Sequence, residues 1–148
     1  MPTNNKALRF VAPKFMPVSG VGFNFVDYVA LAAAPAVNDT CDFLIPAGVD
    51  IASVQIQCDQ LDTNAGKTVA FEVGYTPADP ASSLTPVLNY FAPTGQTTAQ
   101  LGGRLQCSFH PISFQEDVIV RLTFTAVAAT FQAGSIYAIV SGNCNGPK

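Results

Sequence analysis

The sequence predicts an all-β protein: a two-layer antiparallel β-sandwich, jelly-roll-like, with an extended N-terminal arm. Three observations carry this. Apolar and polar residues alternate at period two in five segments, the pattern of strands with one buried face. Each run is closed by Pro, Gly, Asp or Asn, the residues that build turns. No apolar pattern of helical period extends beyond two turns, so helix content is expected below about 15%, against the usual third.

Residues 1–26 read as the arm. Pro2, Pro13 and Pro17, with Gly20-Val21-Gly22, exclude a long helix. Phe10, Phe15, Phe23 and Phe25 are large apolar anchors, which disordered tails generally lack. The sandwich is expected over 27–148. It opens with DYVALAAAPAV, read as a strand followed by a loop, and continues with a strand at Asp42–Ile45 that ends at Pro46-Ala47-Gly48. Next, Val54, Ile56 and Cys58 face one way and Gln55 and Gln57 the other. A loop over Asp59–Gly66 leads to Val69, Phe71, Val73 and Tyr75, a clean alternation. Thr76–Ser83 is a loop with two prolines, and Leu84–Phe91 fits either a short helix or a strand. Gln100–Ser108 reads as a strand interrupted by a kink at Gly102-Gly103. Val118, Val120, Leu122 and Phe124 alternate with Ile119, Arg121, Thr123 and Thr125; after a turn at Gln132-Ala133-Gly134 come Ile136, Ala138 and Val140. The expected core is Phe71, Val73, Val118, Val120, Leu122, Phe124, Ile136 and Val140.

Composition narrows the function. Charged residues make up 11% of the chain, less than half the share in a typical soluble domain, which predicts that partner subunits cover much of the surface. Lys6, Arg9 and Lys14 give the arm a charge of +3, leaving the body at −6. An acidic body argues against nucleic-acid binding, which needs clustered cations. Cys41, Cys58, Cys107 and Cys144 form no CxxC pair and have no nearby His, so zinc is not expected. No apolar run suits a signal peptide or a membrane span. The chain is therefore expected in a reducing cytoplasm, with its cysteines as free thiols.

Motifs that could carry chemistry are incomplete. Ala65-Gly66-Lys67-Thr68 resembles the end of a phosphate loop, but Leu61 stands where the first glycine belongs and a strand follows instead of a helix. Asp62, Asn64 and Gly66 suggest a calcium loop, but the glycine falls at position five instead of six and the closing carboxylate position is Val73. Asp59 and Asp62 with Asn64 offer a loose cation site as the alternative, and hydrogen-bonded turn carboxylates are expected instead. His110 has no neighbouring nucleophile, and no G-x-S-x-G elbow occurs. Glu116 and Asp117, if consecutive on a strand, would point to opposite faces. The expectation is no enzyme: no catalytic residues, no cofactor and no metal.

Residues 27–142 resemble the small decoration, or cement, proteins of tailed-bacteriophage capsids. The resemblance rests on the IPAG turn within Phe43–Val54, the acidic LD turn leading to VAFEVGY (Leu61–Tyr75), the Asp79–Leu84 loop, and the runs DVIVRLT and AGSIYAIV. It implies a structural virion protein, assembled in the host bacterial cytoplasm, that sits on the capsid surface and bridges neighbouring major capsid subunits. The partner it implies is the major capsid protein, with no nucleic acid and no membrane. A homo-oligomer is expected, with a two-fold dimer as the commonest closed form. The partner-binding residues expected in the arm are Lys6, Arg9, Phe10, Lys14 and Phe15, laid across a neighbouring subunit; the competing placement is an edge strand on the arm's own sandwich. The alternative function is a receptor- or glycan-binding module of the virion, for which Tyr75, Tyr90 and Tyr137 are the stacking platforms.

Overall fold

The computed structural model describes residues 2–8, 10 and 20–146. The strands are β1 (Asn4–Lys6), β2 (Gly22–Leu31), β3 (Thr40–Ile45), β4 (Val49–Cys58), β5 (Ala70–Pro77) and β6 (Val87–Gln96). A single helical turn, α1 (Thr98–Leu101), precedes β7 (Gly103–Gln106), β8 (Ile112–Phe114), β9 (Val118–Ala126) and β10 (Gly134–Cys144). One sheet, here sheet A, has the order β1-β3-β9-β5-β6; the other, sheet B, has β2-β10-β4-β7, with β8 also paired to β4.

The pairings nest. β2 joins β10, β3 joins β9, β4 joins β7 and β8, and β5 joins β6, so each pair lies inside the previous one along the chain. Strands β2 to β5 fall alternately in sheets B and A, which wraps the nested pairs into the jelly-roll-like order. The sandwich is as the patterning predicts, and all eight expected core residues are fully buried. Phe43, Ile45 and Phe91 are among the residues sheet A adds to the core, and Phe25, Val29 and Ile56 among those of sheet B.

Several elements differ from the sequence reading. β2 begins at Gly22, inside the segment read as arm, and Phe25 is core rather than an anchor for a partner. Asn24 and Val26 alternate outward with Phe23 and Phe25, so the strand pattern starts as soon as the Gly20–Gly22 turn ends. Residues 87–96 form a strand. Residues 98–101 form a helical turn, which stops at Gly102 and Gly103, both at positive φ (78° and 134°) where other residues are strained. Glu116 and Asp117 lie in the turn before β9 rather than on a strand; Asp117 accepts the Ala47 N–H at 2.8 Å.

Two polar arrangements join distant parts of the chain. Asp42 on β3 and Arg121 on β9 are direct cross-strand partners. Arg121 Nε and Nη2 donate to Asp42 Oδ1 and Oδ2 at 2.7 and 2.8 Å, the two-pronged geometry that suits a guanidinium to a carboxylate. Asp62 is fully buried and accepts the N–H groups of Asn64, Thr68, Ala129 and Thr130 at 2.9–3.1 Å. Burial alone would raise its pKa; the four N–H donors outweigh burial and hold the carboxyl well below the usual carboxylate range. One side chain thus pins the β4–β5 loop to the β9–β10 loop.

Candidate docking surface

Of the five residues expected to bind a partner, Lys6 and Phe10 are described, and Arg9, Lys14 and Phe15 lie outside the described residues. Lys6 ends β1 exposed, with its Nζ 4.9 Å from the centroid of the Phe10 ring, a cation–π contact. The described part of the arm lies on its own sandwich. β1 runs parallel to β3 at the edge of sheet A, with Asn5 opposite Cys41 and Lys6 opposite Asp42. Its anchors are main-chain bonds: Thr40 N–H to Thr3 O (2.8 Å), Ala7 N–H to Asp42 O (2.9 Å) and Leu8 N–H to Tyr28 O (3.1 Å). Thr3 N–H also donates to Asp39 Oδ1 at 2.6 Å. The Leu8 bond reaches β2, so this short strand bridges the two sheets at one corner. Ala7 is buried there, whereas Leu8 is 65% exposed.

The other candidates take structural roles. The carboxylate of Asp62 has about four lone-pair sites, and its four N–H donors fill them, leaving nothing for a cation. Asp59 accepts the Ser135 N–H at 2.8 Å, and Asn64 closes a turn onto the Gly66 N–H at 2.8 Å. Lys67 Nζ donates to the Asn64 carbonyl at 2.8 Å. Among the described residues, no group of three or more His, Cys, Asp or Glu side chains could hold a metal ion. No helix among them is long and apolar enough to cross a membrane.

All four cysteines are free and buried. Burial pushes the Cys58 and Cys107 thiols up to about 12, with Asp59 adding to the effect at Cys58, and it raises Cys41 further still. Such thiols are poor nucleophiles.

His110 is exposed beside an open cleft of about 370 Å³ that Tyr90, Ser108 and Phe109 also line. The Tyr90 hydroxyl donates to the His110 carbonyl oxygen at 2.8 Å, which fixes the rim of the cleft. Of the three proposed stacking platforms, Tyr75 is buried, edge-on to Tyr90 at 5.5 Å and to Phe114 at 5.0 Å. Tyr90 and Tyr137 are half-buried, and Tyr137 sits 5.3 Å from Tyr28 on the outer face of sheet B.

The architecture has solved counterparts. A chain in the capsid asymmetric unit of cyanophage Pam1 is similar to this one at a TM-score of 0.63 and 25% identity, over 88% of this chain and 91% of that one. A chain of the Ralstonia phage GP4 capsid is similar at a TM-score of 0.68 and 21% identity, over 91% and 93%. The overlap spans nearly the whole of each chain, so the likeness is one of complete folds. No family profile and no curated protein matches the sequence.

Proposed function

We propose that this protein is a structural component of a bacteriophage virion that decorates and cements the outer surface of the capsid by bridging neighbouring major capsid subunits. The observation that carries the proposal is the end-to-end likeness to a chain of the Pam1 capsid asymmetric unit, at 25% identity. The chemistry of the described residues supports a non-enzymatic role. The buried Asp62 is saturated by four N–H donors, Asp42 is engaged by Arg121, and the described thiols are withdrawn from solvent. The low charge of the chain supports a surface that is largely covered in the assembled particle.

In this reading the basic arm is the clamp. Lys6, Arg9 and Lys14 pair with carboxylates of the shell, each contributing about 0–1 kcal/mol, while Phe10 and Phe15 carry most of the affinity. Deleting residues 1–20 would also strip β1 from sheet A, so charge reversal is the cleaner test. The combined Lys6→Glu, Arg9→Glu, Lys14→Glu variant keeps every main-chain bond of β1. It is expected to fold as the natural chain does but to fall off particles in co-sedimentation with shells that lack the protein. Retention at full strength would remove the three cations from the binding site, and retention by a further variant that adds Phe10→Ala and Phe15→Ala would remove the arm itself. Failure of the natural chain to co-sediment would remove the capsid role itself.

A glycan-binding role has one observation in its favour, the Tyr90–Phe109 cleft. A glycan array read with Tyr90→Ala as control separates it from capsid binding.

A further inference from the structure

We infer that the cavity beside Asp39 is a socket for the charged end of a lysine or arginine side chain, supplied by a neighbouring subunit of the shell. The choice of the shell as source rests on the capsid reading; the chemistry of the socket does not. The cavity, of about 320 Å³, opens between β1, the end of β2 and the loop that leads to β3. Thr3, Asn5 and Asp39 line it, together with residues 30–35, which are all alanine, leucine or proline.

The acid in its wall defines the ligand. Asp39 is 7% exposed. Its Oδ1 accepts the Thr3 N–H at 2.6 Å and its Oδ2 the Ala36 N–H at 2.8 Å. A carboxylate offers about four lone-pair sites, so one site on each oxygen is left. Asp62 has four N–H donors and Asp42 a guanidinium, whereas Asp39 has two N–H groups and no cation. The described basic side chains are engaged elsewhere. Lys67 Nζ donates to the Asn64 carbonyl, Arg104 Nε to Gln57 Oε1 and Arg121 to Asp42, and Lys6 lies over Phe10. Withdrawing a carboxylate from water is costly unless a cation or enough donors meet it, and here the adjoining space is open.

The other walls select the shape. The apolar run 30–35 suits a methylene stem, which long basic side chains bury while the charged end finds a polar partner. Asn5 donates its Nδ2 to the Thr40 carbonyl at 3.0 Å, so the group it offers a ligand is the acceptor Oδ1. No basic residue is among the described lining residues, which argues against a phosphate or carboxylate ligand.

The course of the chain favours a cation from outside it. The chain leaves the cavity along β1, where Leu8 bonds to Tyr28, and returns at Gly20, bonded to Cys144 at the opposite end of β2. Lys6 follows Asn5 directly, so a partner gripped by the arm's cations also lies against the cavity mouth. The two charge contacts are then reciprocal: the arm offers cations, and the socket receives one.

The test separates the socket from its source. n-Butylammonium reproduces the stem and end of a lysine side chain, and n-butanol is its neutral counterpart. Each is titrated into the isotope-labelled full chain, free of capsid. n-Butylammonium should bind saturably in the millimolar range, the affinity that about five non-hydrogen atoms support. It should shift the amide signals of Thr3 and Ala36, whose N–H groups share the Asp39 carboxylate. n-Butanol should bind at least about tenfold more weakly, since hydrogen bonds to charged groups are the stronger ones. Asp39→Asn, which removes the charge, and Ala33→Leu, which fills the cavity and leaves the acid in place, should each lower the affinity at least about tenfold. The amide spectra of both variants report whether the fold is kept. No saturable shift, equal binding of n-butanol, or undiminished binding to Ala33→Leu would overturn the socket. The combined Arg9→Gln, Lys14→Gln variant should bind n-butylammonium as the natural chain does; a rise of about tenfold would mean that the chain's own arm fills the socket, and would overturn the neighbour. In co-sedimentation with shells that lack the protein, Ala33→Leu should bind at least about tenfold more weakly. Full retention of this variant would remove the socket from the interface. Failure of the natural chain to co-sediment would instead remove the capsid reading and the shell as source, while the titration still decides the socket.

Discussion

Arg121→Ala tests how the outer face of sheet A is held. The Asp42 side chain is 2% exposed and that of Arg121 21%, so the substitution strands a carboxylate that water barely reaches. Removing one partner of a buried pair costs about 3–5 kcal/mol. The partial exposure of the guanidinium lets some water into the vacated site, which favours the lower end, about 3 kcal/mol. In a domain of this size each kcal/mol moves Tm by about 2–4 °C, so Tm should fall by roughly 6–12 °C. The double variant Asp42→Leu, Arg121→Met removes both charges and keeps the volume. It should lie within about 1 kcal/mol of the natural protein, since apolar replacement of buried pairs is often neutral. Urea denaturation of the natural chain, both single variants and the double variant closes the cycle, and the m-value should stay constant throughout. Raising the salt concentration should change these differences little, because the pair is mostly shielded from solvent. A loss below about 1 kcal/mol in Arg121→Ala would place the pair with ordinary surface ion pairs and refute this account.

Four further outcomes are expected. Phe124→Ala, at a fully buried position between the sheets, should cost about 3–5 kcal/mol in the same denaturation experiment. The depressed Asp62 carboxyl stabilises the fold above its unfolded value near pH 4, and this stabilisation is lost as pH falls. Asp62→Asn should therefore be less stable at pH 7 and show a flatter acid limb in a Tm-versus-pH series. The raised thiols act in the opposite direction. The unfolded chain ionises Cys58 and Cys107 from about pH 8.5 while the folded chain holds their protons, so stability should decline as pH rises from there towards 12. In the native protein at pH 8, a thiol reagent should label these two cysteines only at the rate of unfolding.

The sequence makes the facing of residues within each strand plain and leaves the pairing between strands hidden. Val118, Val120, Leu122 and Phe124 can be assigned to the core because period two is a local property. That Arg121 finds Asp42, or that Asp62 binds Ala129 and Thr130, depends on which strands become neighbours, and no local pattern encodes that. The start of β2 was legible in principle from Phe23 and Phe25 alternating with Asn24 and Val26. The prolines and glycines just before it argue for irregular chain, and they mask an alternation that begins where they end. Likewise α1 occupies one turn, too short for any helical periodicity to register.

The position of β10 within sheet B has a consequence for synthesis. Among the described strands it is made last, yet it lies between β2 and β4, both of which leave the ribosome earlier. Until it emerges, nothing joins β2 to β4, and Phe25, Val29 and Ile56 have no completed sheet around them. At roughly 5–20 residues per second, β2 waits on the order of ten seconds for its partner. During that interval the nascent chain exposes a ten-residue apolar strand with both edges open, which is an invitation to pair with another nascent copy. A stop codon before Gly134 would make that exposure permanent and should yield insoluble protein.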